Sequence, residues 1–197
     1  MYGLAQTTAP TLEPLTLAEV KRYVRVSQDI SEHNEELTDL LKAARQDLED
    51  RTNRQVMNAS WTLKLDAFPY RSGVFYLPRA PLSSVTSITY LEAVAGASTA
   101  WSSSNYRVST TVEPGEVRLA YGISFPSVYP ISNAVTIVYV AGYGATQATV
   151  PPKIKQAIAM RMRAWWDQDK QAETAYESMV TSLLYGDEHT VYAECHE

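Results

Sequence analysis

The chain has 197 residues, 45% hydrophobic and 20% charged, which is enough for one sizeable domain or two small ones of ordinary globular composition. Its net charge of -5 argues against general affinity for nucleic acid, which needs clustered lysine and arginine. A single cysteine, Cys195, excludes an internal disulfide, and no apolar run approaches the roughly 20 residues of a membrane helix.

Residues 1–15 read as a loose N-terminal arm. Met1 to Pro10 has no basic residue and no long apolar core, so a signal peptide is not expected. The setting inferred is cytoplasmic, or a particle assembled in the cytoplasm. Thr16-Leu-Ala-Glu19 fits a capping box at the head of a helix that runs to about Val24. Ser31 or Asn34 can cap a second helix, whose Leu37, Leu40, Leu41, Ala44 and Leu48 form one apolar stripe as far as about Arg51. The charged residues of its other face are expected to be solvated. These helices make up residues 16–55.

From Thr52 the pattern changes. Trp61, Leu63 and Leu65 alternate with polar residues, as in a half-buried strand. Short strands are expected at 74–77, 85–90, 105–109 and 117–121, with a hairpin tip or long loop over 92–104. Asn133 to Ala141 is rich in β-branched residues, with Val135, Ile137 and Tyr139 on one face, and is expected as a central strand buried on both sides. Turns separate these strands where helices would have to stand in a parallel sheet, so antiparallel pairing is expected. Residues 56–149 thus form one β module of five to six strands.

Gly142-Tyr143-Gly144 breaks the last strand, and Val150-Pro151-Pro152 opens a helix, where proline is tolerated in the first turn. Ile154, Ala157, Ile158, Arg161, Met162, Trp165 and Trp166 follow at helical spacing. The helix is expected to break near Asp169 and resume through Tyr176, Met179, Val180, Leu183 and Leu184 to a stop at Gly186. Residues 150–186 therefore hold two helices, and 187–197 a flexible acidic tail. The expected fold class is α+β: a small bundle of two N-terminal and two C-terminal helices with an inserted antiparallel β module.

Searches for catalytic and metal-binding patterns return nothing specific. His33, His189 and His196 lack a second ligand at metal spacing, and Cys195-His196 is a terminal dipeptide. No phosphate loop and no Gly-x-Ser-x-Gly elbow occurs. No catalytic residue, cofactor or metal is assigned. Two features suggest contact with other chains. Trp165 and Trp166 point about 100° apart on a helix, so both can hardly enter one small core. Residues 153–170 carry five basic and two acidic side chains, whereas 171–197 carry six acidic and no basic ones. Such complementary patches suit a head-to-tail ring. Lys153, Lys155, Arg161, Arg163, Trp165 and Trp166 are accordingly expected at a subunit interface.

Several stretches resemble the head–tail connector (adaptor, or head-completion) proteins of tailed bacteriophages. They are Thr16-Leu-Ala-Glu-Val-Lys-Arg-Tyr-Val, Leu40 to Arg54, Trp61-Thr-Leu-Lys-Leu-Asp-Ala-Phe-Pro69, Leu77 to Ile88, Tyr139 to Gly144 and Pro151 to Ile158. Their order and spacing over residues 14–170 carry the resemblance. It implies a non-enzymatic virion protein of the neck, in a ring commonly of twelve subunits below the portal. Such a ring extends the DNA channel, passes DNA without sequence readout and offers a docking surface for the stopper or tail. It also implies that the C-terminal segment reaches the portal protein, here through Tyr176, Met179, Leu183, Leu184 and Tyr185. The rival reading is a small β-rich enzyme or ligand-binding module whose pocket is lined by Tyr90, Tyr106, Tyr121 and Tyr139.

Overall fold

The structure, a computed structural model, describes residues 2–185. The acidic tail 187–197, Gly186, His189, Cys195 and His196 lie outside the described residues. The chain divides into two units, residues 1–10 with 58–143 and residues 11–57 with 144–197.

The first unit is all β. A five-stranded sheet runs in the order β1 (Tyr2–Thr8), β2 (Ala59–Leu65), β8 (Val135–Ala141), β4 (Leu82–Leu91), β5 (Ser98–Ala100). A three-stranded sheet has the order β3 (Val74–Tyr76), β7 (Glu116–Leu119), β6 (Tyr106–Ser109). Every pairing is antiparallel. The α+β class and the antiparallel module hold, and two strands join those read from the sequence. β5 arises within the expected tip. β1 is the stretch expected as a loose arm, now in register with β2 from Tyr2↔Leu65 to Gln6↔Trp61. Its order comes from the exposed backbone edge of β2, which its own composition does not announce.

β8 is central, as its β-branched run requires, but Val135, Ile137 and Tyr139 are buried whereas Thr136, Val138 and Val140 are only half-buried. The buried face meets Trp61, Leu63, Ile88 and Val117 in one core shared by both sheets. At one end Phe68 stacks on Phe125 with ring centroids 4.9 Å apart and lies 5.1 Å from Trp101, which stacks on Tyr106. The Tyr139 hydroxyl donates to the Pro78 carbonyl at 2.9 Å, and burial pushes its pKa well up. Gly115 packs so closely on Leu82 that a Cβ there would overlap it.

The second unit is helical: α1 (Leu17–Tyr23), α2 (Asn34–Thr52), α3 (Pro152–Asp167) and α4 (Lys170–Tyr185). The capping box is formed. The Glu19 N–H donates to the Thr16 hydroxyl at 3.2 Å, and the Glu19 carboxylate accepts from the Thr16 N–H at 2.7 Å. The N-cap position of α2 falls on His33, without a side-chain bond, and Asn34 is already helical. Leu37, Leu41, Ala44 and Leu48 form the expected buried stripe.

The other face of α2 is not wholly solvated. Arg45 and Glu49 are both buried, because Arg45 bridges Glu13 at 2.8 Å and Glu49 at 2.7 Å. Glu49 also accepts from the Val56 N–H and from Gln55. Charges fully paired and hydrogen-bonded can be taken out of water at tolerable cost. Helix α3 ends at Gln168, whose backbone is left-handed with φ 51°. Asp169 then caps α4 by accepting the N–H groups of Gln171 and Ala172.

Candidate subunit interface

Helix α3 carries all six residues expected at an interface, and its environment separates them. Lys153 is exposed and donates to the Ser182 hydroxyl at 2.8 Å, tying the start of α3 to the end of α4. Lys155 is half-buried, with its charge near Glu19 of α1. Arg163 is half-buried and pairs with Asp169 at 3.2 Å. Trp165 is 37% exposed, among the few large apolar side chains of this unit that face water. Trp166 packs edge-on against His33, with centroids 5.3 Å apart. The adjacent tryptophans thus part as helical geometry requires, one open to solvent and the other against the head of α2.

Arg161 is a correction. It is 7% exposed, so it cannot belong to an open basic face. Its guanidinium lies 3.0 Å from Asp47 of α2 and 3.1 Å from Glu173 of α4, and sits over the rings of Trp165 at 4.5 Å and Tyr176 at 4.7 Å. It locks three helices within one subunit. Asp47 also accepts the Tyr176 hydroxyl at 2.6 Å. Burial, then the bond to Asp47, pushes the phenol pKa well up, so Tyr176 stays neutral at any physiological pH. The Arg51 guanidinium, 5.5 Å from the same ring, pairs with Glu177 at 2.7 Å.

Of the α4 residues expected to meet a portal, Tyr176 is therefore also a correction, being fully buried in the helical unit. Met179, Leu183 and Leu184 are half-buried along α4. Tyr185 is the last residue of that helix. The four tyrosines of the rival pocket do not converge. Tyr139 and Tyr106 are in the core, Tyr90 is half-buried and Tyr121 is fully exposed. Among the described residues no group of three or more His, Cys, Asp and Glu could hold a metal ion, and no helix is long and apolar enough to cross a membrane.

Sequence reasoning missed Asp47, Glu173 and His33. Asp47 and Arg51 stand at i, i+4 spacing, a surface-pair signal that gives no hint of a third partner more than a hundred residues away.

No family model matches the sequence, and no curated protein matches it. Solved structures do. A chain in the neck of an empty GTA particle computed with C6 symmetry has a TM-score of 0.72 at 24% identity, covering 84% of either chain. A chain in the virion of a native gene transfer agent (GTA) particle has a TM-score of 0.74 at 22% identity, covering 91% of this chain and 94% of its own. A third, in the neck of a native GTA particle computed with C12 symmetry, gives 0.66 at 24% identity, covering 85% of this chain and 84% of its own. The fold is that of chains in the neck and virion of gene transfer agent particles. This agrees with the resemblance to head–tail connectors carried by the sequence.

Proposed function

We propose that this chain is a structural connector of the virion neck, a ring-forming adaptor between a portal and the stopper or tail. One observation carries this reading: the likeness of fold extends over at least 84% of this chain to proteins in particle necks computed with C6 and C12 symmetry. The reading has twelve subunits in the ring, DNA passing through its lumen without sequence readout, and no catalytic role. A net charge of -5 suits passage, because tight phosphate binding would hold DNA back.

Within the ring, Trp165, Trp166, Lys153, Lys155 and Arg163 meet the next subunit, while Met179, Leu183, Leu184 and Tyr185 face the portal. An exposed tryptophan beside paired charges has the composition of an interface centre. Mass measurement in solution with electron microscopy, on the protein alone and mixed with portal, tests it. Rings are expected in at least one condition. A monomer that ignores portal and binds a small molecule instead would overturn the reading.

A further inference from the structure

The five-stranded sheet ends in two edges that the described residues leave open. Natural sheets guard their edges with lysine, proline, brevity, a bulge or a covering element, and of these the open stretch of β4 has only bulges. β1 has seven residues, no charge and no proline, and residues 5–8 are all exposed. Among the described residues its only backbone partner is β2. On the far side, β5 covers only Thr89–Leu91 of β4, and the Trp101 N–H reaches Ile88. Leu82, Ser84, Val85 and Ser87 pair with β8, the register passes over Ser83 and Thr86, and among the described residues this stretch makes no other backbone bond. Ser83, Ser84 and Thr86 are exposed there, and all of β4 is uncharged.

β1 is long enough to cover the open stretch of β4. At about 3.4 Å per residue, β1 is about 24 Å long, and residues 82–87, which span four positions of β8 from Val138 to Ala141, reach about 14 Å. Strands alternate in direction from β1 through β2 and β8 to β4. A second copy set edge to edge in the same orientation therefore brings its β1 antiparallel to β4, and the alternation continues. The junction joins two different edges, so it repeats head to tail, as a closed ring requires, where a β1–β1 pair would stop at a dimer. Register shifts at Leu82/Ser84 and Val85/Ser87 mark bulges, which bend and twist the strand. A sheet that turns from one copy to the next needs such a bend.

We propose that β1 of one copy adds to the open side of residues 82–87 of the next copy, a junction that rests on the ring reading above and names the backbone contact that closes it. The occupant of each edge is a second copy of this chain. Uncharged surfaces on both sides, free of the like-charge repulsion that keeps edges apart, favour that partner over a charged one.

Cysteine cross-linking of the full-length chain tests it, in a Cys195→Ser background. Ala5→Cys is combined in turn with Ser83→Cys, Ser84→Cys and Thr86→Cys, and the protein is oxidised after assembly. A ladder of covalent multiples is expected for at least one pair, and only monomer for each single variant. Ala5→Cys with Thr62→Cys, neighbours across β1 and β2, should close within one chain. A ladder from that pair instead means that β1 is exchanged between copies, and overturns the proposal. Rings that give no ladder overturn it while leaving the ring reading intact. A ladder on open chains upholds the junction and overturns the ring. A chain that stays monomeric throughout overturns the junction.

Charge gives a second readout. Ala5→Lys with Thr86→Lys should lower the assembly constant about fivefold per junction, and Ala5→Lys with Thr86→Glu should restore it. Equal loss in both pairs counts against the junction.

Discussion

Arg161 shows how one residue can read one way in sequence and another in the fold. Its position in a basic run pointed outward, yet Asp47, Glu173, Trp165 and Tyr176 enclose it. Arg161→Ala removes a buried side chain that packs on two rings and pairs with Asp47, so it should destabilise the helical unit by about 2 kcal/mol. Trp165→Ala, which takes from Arg161 one of its two rings, should cost about 1 kcal/mol in folding, less than Arg161→Ala, and act on assembly as well. Urea unfolding of both variants, beside their mass in solution, separates the two effects. Equal destabilisation would remove Trp165 from the interface. None of this was legible beforehand, because helical spacing fixes which residues share a face but not what that face meets. The partners of Arg161 come from α2 and α4, and only tertiary packing brings them together.

At the scale of elements the sequence was more readable. The capping box, the stripe of α2, the central place of β8 and the break before α4 all follow from local chemistry: a threonine three residues before a glutamate, leucines at helical spacing, a β-branched run, an aspartate at a helix start. What failed to show was β1 and β5, short uncharged segments whose order depends on a neighbour's backbone rather than on their own pattern. The capping box also carries a pH signature. The Thr16 N–H, then its hydroxyl, hold the Glu19 carboxyl below its ordinary value, helped by Lys155 and Arg22. A group whose folded pKa is depressed adds stability above its unfolded value, about 4.3 for glutamate, and loses it as pH falls through the lower folded value. Glu19→Gln, which removes the charge and keeps the size, should therefore cost about 1 kcal/mol near neutrality and progressively less in acid. Denaturation midpoints of the wild type and variant, measured from pH 7 down to pH 3, should converge. A constant gap would mean that the box contributes through packing alone.

At the scale of the whole molecule, the α+β class and the break between helical and β character were visible in composition and periodicity. The union of residues 1–10 with the β unit was not, since it skips the helices that follow in sequence. Deleting residues 1–10 should leave the helical unit folded and strip the β sheet of an edge strand. A loss of about 2 kcal/mol in the β unit is expected, from six cross-strand pairs less the entropy of ordering the segment. Hydrogen exchange should locate that loss in β2, and protection of β2 unchanged by the deletion would count against the pairing. The chain passes between its two units three times, after residues 10, 57 and 143. Neither unit is thus a single stretch of gene. A lone recombination event that exchanged the helical unit with another gene would also carry off β1 or leave one unit a hybrid. The two units must then be inherited together, and a protein built this way changes partners by altering its surface residues rather than by trading modules.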